Sequence, residues 1–277
     1  DMANRRLRVL AAPLVLSVSL AGCDKFEART AFKQANVSYK NENYREAIAG
    51  YERGLRLDPN AKKVWRSLGL AAMAVYRPGD ISKENLLNAK TAIDAFENYA
   101  KAFPEDPKVQ EYILTILMSS ERYDEALKRL RELAAKNPAD KSNNQAITTV
   151  LVRQKKLDEA DRWGRGLGSR ADSVNHYTIG VAAWDVAYHD PMLPAEERLR
   201  IVEMGIEALR RSVKMAPDSF DSNVYLNLIL REKAKLETDP EKQQALIAEA
   251  IIYQDRAKAS VGARKAQAAT AAATSGS

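Results

Sequence analysis

The chain has 277 residues, 45% of them hydrophobic and 29% charged, with 43 Lys and Arg against 37 Asp and Glu for a formal net charge of +6. No dense Lys/Arg cluster interleaved with aromatics occurs, which argues against nucleic-acid binding. One cysteine and two histidines exclude an intramolecular disulfide and any Cys/His metal-ligand spacing.

The N-terminal stretch "RRLRVLAAPLVLSVSLAG" places Arg5, Arg6 and Arg8 before an almost wholly apolar run from Val9 to Leu20. A cationic start, a short apolar core and small residues at its end are the plan of a secretory signal. The run is shorter than the roughly 20 apolar residues that span a bilayer. A buried N-terminal helix holding an inert cysteine is the alternative, but no polar residues alternate with the apolar ones to leave a packing stripe.

Leu20, Ala21, Gly22 and Cys23 resemble the lipobox of bacterial lipoproteins. The resemblance implies cleavage before Cys23, a diacylglycerol on its sulfur and a further acyl chain on its nitrogen. Two or three acyl chains anchor firmly where one binds marginally. Loss of residues 1–22 would remove three positive charges and one negative, taking +6 to +4. Asp24 resembles an inner-membrane retention signal, a rule that varies among bacteria, so inner and outer membrane both stay open. The expected location is the bacterial cell envelope, facing the periplasm or the exterior.

Beyond the anchor, one spacing recurs. Ala47, Tyr51, Gly54 and Pro59 are matched by Ala92, Phe96, Tyr99 and Pro104, by Ala126, Leu130, Leu133 and Pro138, and by Gly205, Leu209, Ser212 and Pro217. Small residues let paired helices approach, the larger residue one turn later fills the gap, and the proline ends the second helix. Trp65, Leu68 and Gly69 precede the second set. This pattern resembles the tetratricopeptide repeat (TPR), whose period is about 34 residues.

The expected fold is therefore all-α, a TPR superhelix (α-solenoid) of about six helix pairs over 28–60, 61–105, 106–139, 140–172, 173–218 and 219–259. Residues 1–22 are read as the signal peptide and 23–27 as lipidated cysteine and tether. Residues 28–259 form the repeat domain. Residues 260–277 are too rich in alanine, serine and threonine to bury a core, and read as a disordered tail. Two pairs carry insertions between their helices, "YRPGDISKENLLN" and "YHDPMLPAEERLR".

In such an array the first helix of each pair lines the inner wall. Residues one step round from the packing face are the candidate partner groove. They are Phe32, Asn36 and Tyr39; Arg66, Leu70 and Met73; Glu111, Thr115 and Met118; Gln145, Thr149 and Val152; Tyr177, Val181 and Trp184; and Val224, Leu228 and Arg231. Such a lining suits an extended or helical peptide and lacks the repeated Lys/Asn clamp for a terminal carboxylate. Met73, Met118 and Trp184 equally suit a tightly curved core.

Catalytic candidates are few. His176 falls on a packing position and reads as a satisfied interior residue, and His189 reads as exposed at a turn. Gly164, Gly166 and Gly168 follow a helix rather than a strand, so they read as a helix end and not a phosphate cradle. Glu196 and Glu197 suit a helix start. No enzyme, cofactor, metal or small-molecule substrate is expected beyond the lipid on Cys23. The expected partners are envelope proteins and the membrane. The function is read as a scaffold or adaptor, with a structural subunit that binds through its convex face or insertions as the alternative.

Overall fold

The computed structural model describes the backbone of residues 17–275 and the side chains of residues 23–262. Among the described residues the chain is all-helical, with twelve α-helices and one 3-10 turn. They are α1 (Ser17–Lys40), α2 (Tyr44–Leu57), α3 (Val64–Val75), α4 (Lys83–Ala102), α5 (Pro107–Ser119), α6 (Tyr123–Lys136), α7 (Lys141–Arg153), α8 (Leu157–Gly166), α9 (Ser173–His189), α10 (Ala195–Met215), α11 (Phe220–Leu236) and α12 (Pro240–Ser275). Taken two by two, they are the six helix pairs that the repeat implies.

Packing follows the repeat register. Ala47, Ala92, Ala126 and Gly205 are buried, as are Tyr51, Phe96, Leu130 and Leu209 one turn later. Pro59, Pro104, Pro138 and Pro217 each stand two residues past the end of a second helix, where a proline disfavours helix for the residue before it. The glycines admit the large neighbours. A Cβ on Gly180 would stand 2.3 Å from Leu209 Cγ, and one on Gly205 would stand 2.7 Å from the Ala183 Cβ.

The chain forms two compact units, Asp1–Arg122 and Tyr123–Ser277. In the first, α1 packs on α2, α2 on α3, α3 on α4 and α4 on α5. Its core gathers Ala35, Ala47, Tyr51, Leu55, Leu68, Ala71 and Ala95. In the second, α9 packs on α10 and α11, and α11 on α12. Val202, Ile206, Leu209, Leu226, Ile229 and Leu230 form the centre of its core. The two helices of the third pair, α5 and α6, fall one in each unit.

The short turns inside three pairs share one device. Glu42, Glu121 and Lys155 have positive φ, at 61°, 57° and 59°. The residue after each donates its N–H to a carbonyl five residues back: Asn43 to Ser38 (2.9 Å), Arg122 to Leu117 (2.8 Å) and Lys156 to Leu151 (2.9 Å). This is a Schellman closure, which usually takes glycine at the left-handed position.

The two insertions replace that turn with loops, each tied by one side chain of the following helix. Asn85 is buried and accepts from Arg77 N–H (2.8 Å) while donating to the Arg77 and Asp80 carbonyls (2.7 Å each). Arg198 donates to the carbonyls of Ala187, Asp190 and Leu193.

Residues 1–16 of the expected leader lie outside the described residues. Residues 23–27, read as a tether, are helical and exposed at the start of α1, and the first buried residue is Ala28. The backbone of α12 stays helical through Ser275 where composition suggests disorder; alanine, abundant there, is the strongest helix former. Among the described residues no helix is long and apolar enough to cross a membrane.

Candidate functional site: an aromatic face on consecutive first helices

In the second unit, α9 and α11 bring aromatic residues together. Tyr177, Val181 and Trp184 are half-buried along one side of α9, and Tyr188, one turn beyond Trp184, is exposed. The Trp184 and Tyr188 rings stack with centroids 5.1 Å apart. Tyr225 of α11 meets Trp184 edge-on at 5.4 Å and Tyr177 edge-on at 5.8 Å. Such offset and edge contacts add about 0.5–1.5 kcal/mol per pair beyond burial. Lys235 Nζ stands 5.6 Å above the Tyr188 ring, and His189 closes the end, 4.9 Å from Tyr188.

The electrostatics are those of an apolar surface edged by paired charges, Lys235 with Glu232 at 2.7 Å among them. Burial, then the Asp221 carboxylate and Tyr225, raise the Tyr177 phenol above its ordinary range, so it stays a neutral hydrogen-bonding group. Trp184 Nε1 is enclosed without an acceptor. His189, exposed, lies 3.0 Å from the Asp185 carboxylate.

The other expected lining residues are also surface-accessible in part, and each has local ties. In the first unit Asn36 accepts from the Tyr51 hydroxyl (2.7 Å), and Tyr39 meets Tyr44 edge-on at 5.3 Å. Phe32 is turned onto α2, where a Cβ on Gly54 would fall 2.2 Å from its ring; that ring is committed to the α1–α2 contact. Arg66 lies 3.8 Å from Asp106, with Leu70 and Met73 half-buried beyond it. Glu111 and Thr115 are exposed and Met118 is half-buried. A separate recess of about 350 Å³ opens among α2, α3 and α4, lined by Leu55, Trp65, Leu68 and Asp94 among others; none of the expected lining residues borders it.

In the second unit Gln145, Thr149 and Val152 are half-buried on α7, and Thr149 Oγ1 bonds the Gln145 carbonyl (3.0 Å). Val224, Leu228 and Arg231 follow on α11, with Arg231 Nε donating to Asn227 (2.9 Å). The sequence reading missed Tyr188, Tyr225 and Lys235. Extending the α9 series by one helical turn reaches Tyr188, and Tyr225 neighbours Val224.

His176 departs from the expectation of a satisfied interior residue. It is buried, but its Nδ1 has no hydrogen-bond partner. Gly164 lies inside α8, Gly166 ends it, and Gly168 turns the chain with φ +56°. Among the described residues no group of three or more His, Cys, Asp or Glu could hold a metal.

No protein-family model matches the chain, and no curated protein matches it. Among solved structures it is similar to YrrB, a TPR protein with an unusual peptide-binding site, at 21% identity over 74% of this chain and 94% of that one, with a TM-score of 0.42. It is also similar to MamA at 12% identity, over 84% of this chain and 91% of that one, with a TM-score of 0.34. A tetratricopeptide repeat protein from Parabacteroides merdae is similar at 9% identity, over 81% and 99% of the two chains, with a TM-score of 0.39. These likenesses are loose, and the paired-helix architecture rests on the chain's own repeat register and packing.

Proposed function

We propose that the chain is a lipid-anchored TPR-type adaptor of the bacterial cell envelope, tied to a membrane through Cys23 and holding a protein partner on the first helices of its pairs. The observation that carries the partner reading is the aromatic face of Tyr177, Trp184, Tyr188 and Tyr225. Half-exposed aromatic rings on rigid helices are the residue type that dominates binding energy at protein interfaces. A peptide laid across them gains apolar contact from the rings, beside a Tyr188 ring that Lys235, paired with Glu232 at 2.7 Å, covers on one side. Cys23 is exposed in the second turn of α1, which leaves its sulfur accessible for acylation and supports the anchor reading.

The insertions favour a second reading, a structural subunit that docks through its loops. Ile81 and Met192, one in each insertion, are both 86% exposed, an unusual position for large apolar side chains unless something covers them.

Co-purification after mild solubilisation separates the readings. The adaptor predicts a partner lost, by about tenfold or more in affinity, when Tyr177 and Tyr188 become alanine. Trimming residues 77–81 or 190–193 should leave that partner bound. Retention in the aromatic variant with loss in the trimmed chains would favour the structural subunit. An unacylated Cys23 with residues 1–22 still attached would overturn the anchor.

A further inference from the structure

Helix α1 has two faces of different chemistry. Ala28, Ala31 and Ala35 are buried, and the helix packs on α2. Diametrically opposite lie Phe26, Arg29, Lys33, Val37 and Lys40, all exposed. At about 100° per residue these five fall within about 80° of arc. Phe26 is 75% exposed and Val37 53%. Arg29, Lys33 and Lys40 have no ion-pair or hydrogen-bond partner among the described residues, and no acidic side chain shares their arc. Glu27 and Gln34 mark one flank, where Arg53 of α2 bonds Gln34 (3.1 Å). Asn36, bonded to Tyr51 of α2, marks the other.

We propose that this face of α1 lies on a membrane surface rich in anionic phosphodiester headgroups. The proposal rests on reading Cys23 as the acylated residue. Phe26 follows Cys23 by less than one helical turn, about 4.5 Å along the axis, so acyl chains on Cys23 hold Phe26 at headgroup depth. Arg29, Lys33 and Lys40 then meet the surface along the next four or so turns of the same face. Long basic side chains reach the headgroups while their stems cover apolar surface. Each such charge near an anionic leaflet strengthens binding by about fivefold. The acyl chains tether the protein, and the face fixes how its first helix sits.

The test uses protein carrying its native N-terminus, extracted in detergent and reconstituted into phosphatidylcholine vesicles with or without phosphatidylglycerol. The mass of the N-terminal peptide reports acylation, and amine-selective labelling of Lys33 and Lys40 reports the face. Labelling of both lysines should fall at least about threefold in the anionic vesicles, and recover at about 0.5 M salt, where screening is strong. The Phe26→Ser, Arg29→Gln variant should lose much of that protection. Equal labelling in the two vesicle types would overturn the proposal. So would equal protection in detergent without lipid, the outcome expected if a second copy covered the face. If the N-terminal peptide carries no lipid, the anchor reading fails separately. Co-sedimentation of that same protein then decides the face: salt-sensitive binding to anionic vesicles supports it, and no binding overturns it.

Discussion

At the scale of single residues, His176 shows how a repeat position becomes a pH-sensitive one. Burial, then the nearby Arg211 guanidinium, holds its pKa down at about 4 from 6.5. The folded protein keeps the ring neutral while the unfolded chain takes up a proton below pH 6.5. Stability from this group is therefore intact above pH 6.5 and is lost progressively as pH falls to about 4, by about 3 kcal/mol in all. Urea unfolding of the native chain and of His176→Leu across that range should show a shallower acid decline in the variant; parallel declines would refute this account. Gly205 makes the complementary point about space. Alanine there gains about 1 kcal/mol of helix propensity, but its Cβ meets the Ala183 Cβ at 2.7 Å and the Ile229 Cδ1 at 2.3 Å. Overpacking of that kind costs about 1–3 kcal/mol, so Gly205→Ala is expected to lower the unfolding midpoint, measured by thermal melts.

At the scale of elements, the helices are delimited by residues that the repeat register does not name. Asp106, Asp140, Asp172 and Ser219 cap α5, α7, α9 and α11 through side-chain acceptance of backbone N–H groups. The left-handed turn residues are a further case. Lys155 holds φ 59°, a conformation that costs an L-residue about 1–2 kcal/mol and glycine little. Lys155→Gly is expected to stabilise by about 0.5–1 kcal/mol after the greater entropy of glycine in the unfolded chain is subtracted. A lower denaturant midpoint in that variant would contradict the turn assignment. The fourth pair is weak in its repeat signature because its interior is partly polar. Asn144 and Thr148 are buried, and Asn175 donates to the Asn144 carbonyl (3.1 Å) and Thr148 Oγ1 (2.9 Å). A satisfied polar network can replace apolar residues at such positions, and an apolar pattern then cannot reveal it.

At the scale of the whole molecule, stability comes without an intramolecular disulfide, since the chain has one cysteine. Reducing agent should leave the thermal midpoint unchanged, and a shift would reveal a Cys23-linked dimer. The described surface carries its distinctive features on different helices: a basic and apolar face on α1, an aromatic face on α9 and α11, and exposed Ile81 and Met192 in the two insertions.

Sequence by itself determined the all-helical class, the six helix pairs and the boundaries between them to within a few residues, though α1 begins 11 residues before the expected array and α12 runs 16 residues past it. Small residues, their bulky partners and terminal prolines recur at fixed spacing, and that spacing is local information about which face of a helix packs. It also singled out Tyr177, Val181 and Trp184 along one side of α9. Tertiary structure decided the rest. It turned Phe32 onto α2, enclosed His176 without a partner for Nδ1, and joined Tyr225 of α11 to Tyr177 and Trp184 of α9. Those outcomes depend on contacts between residues on different helices, many positions apart in the chain, which helical periodicity cannot carry because it reports the faces of one helix and not which neighbour each face meets.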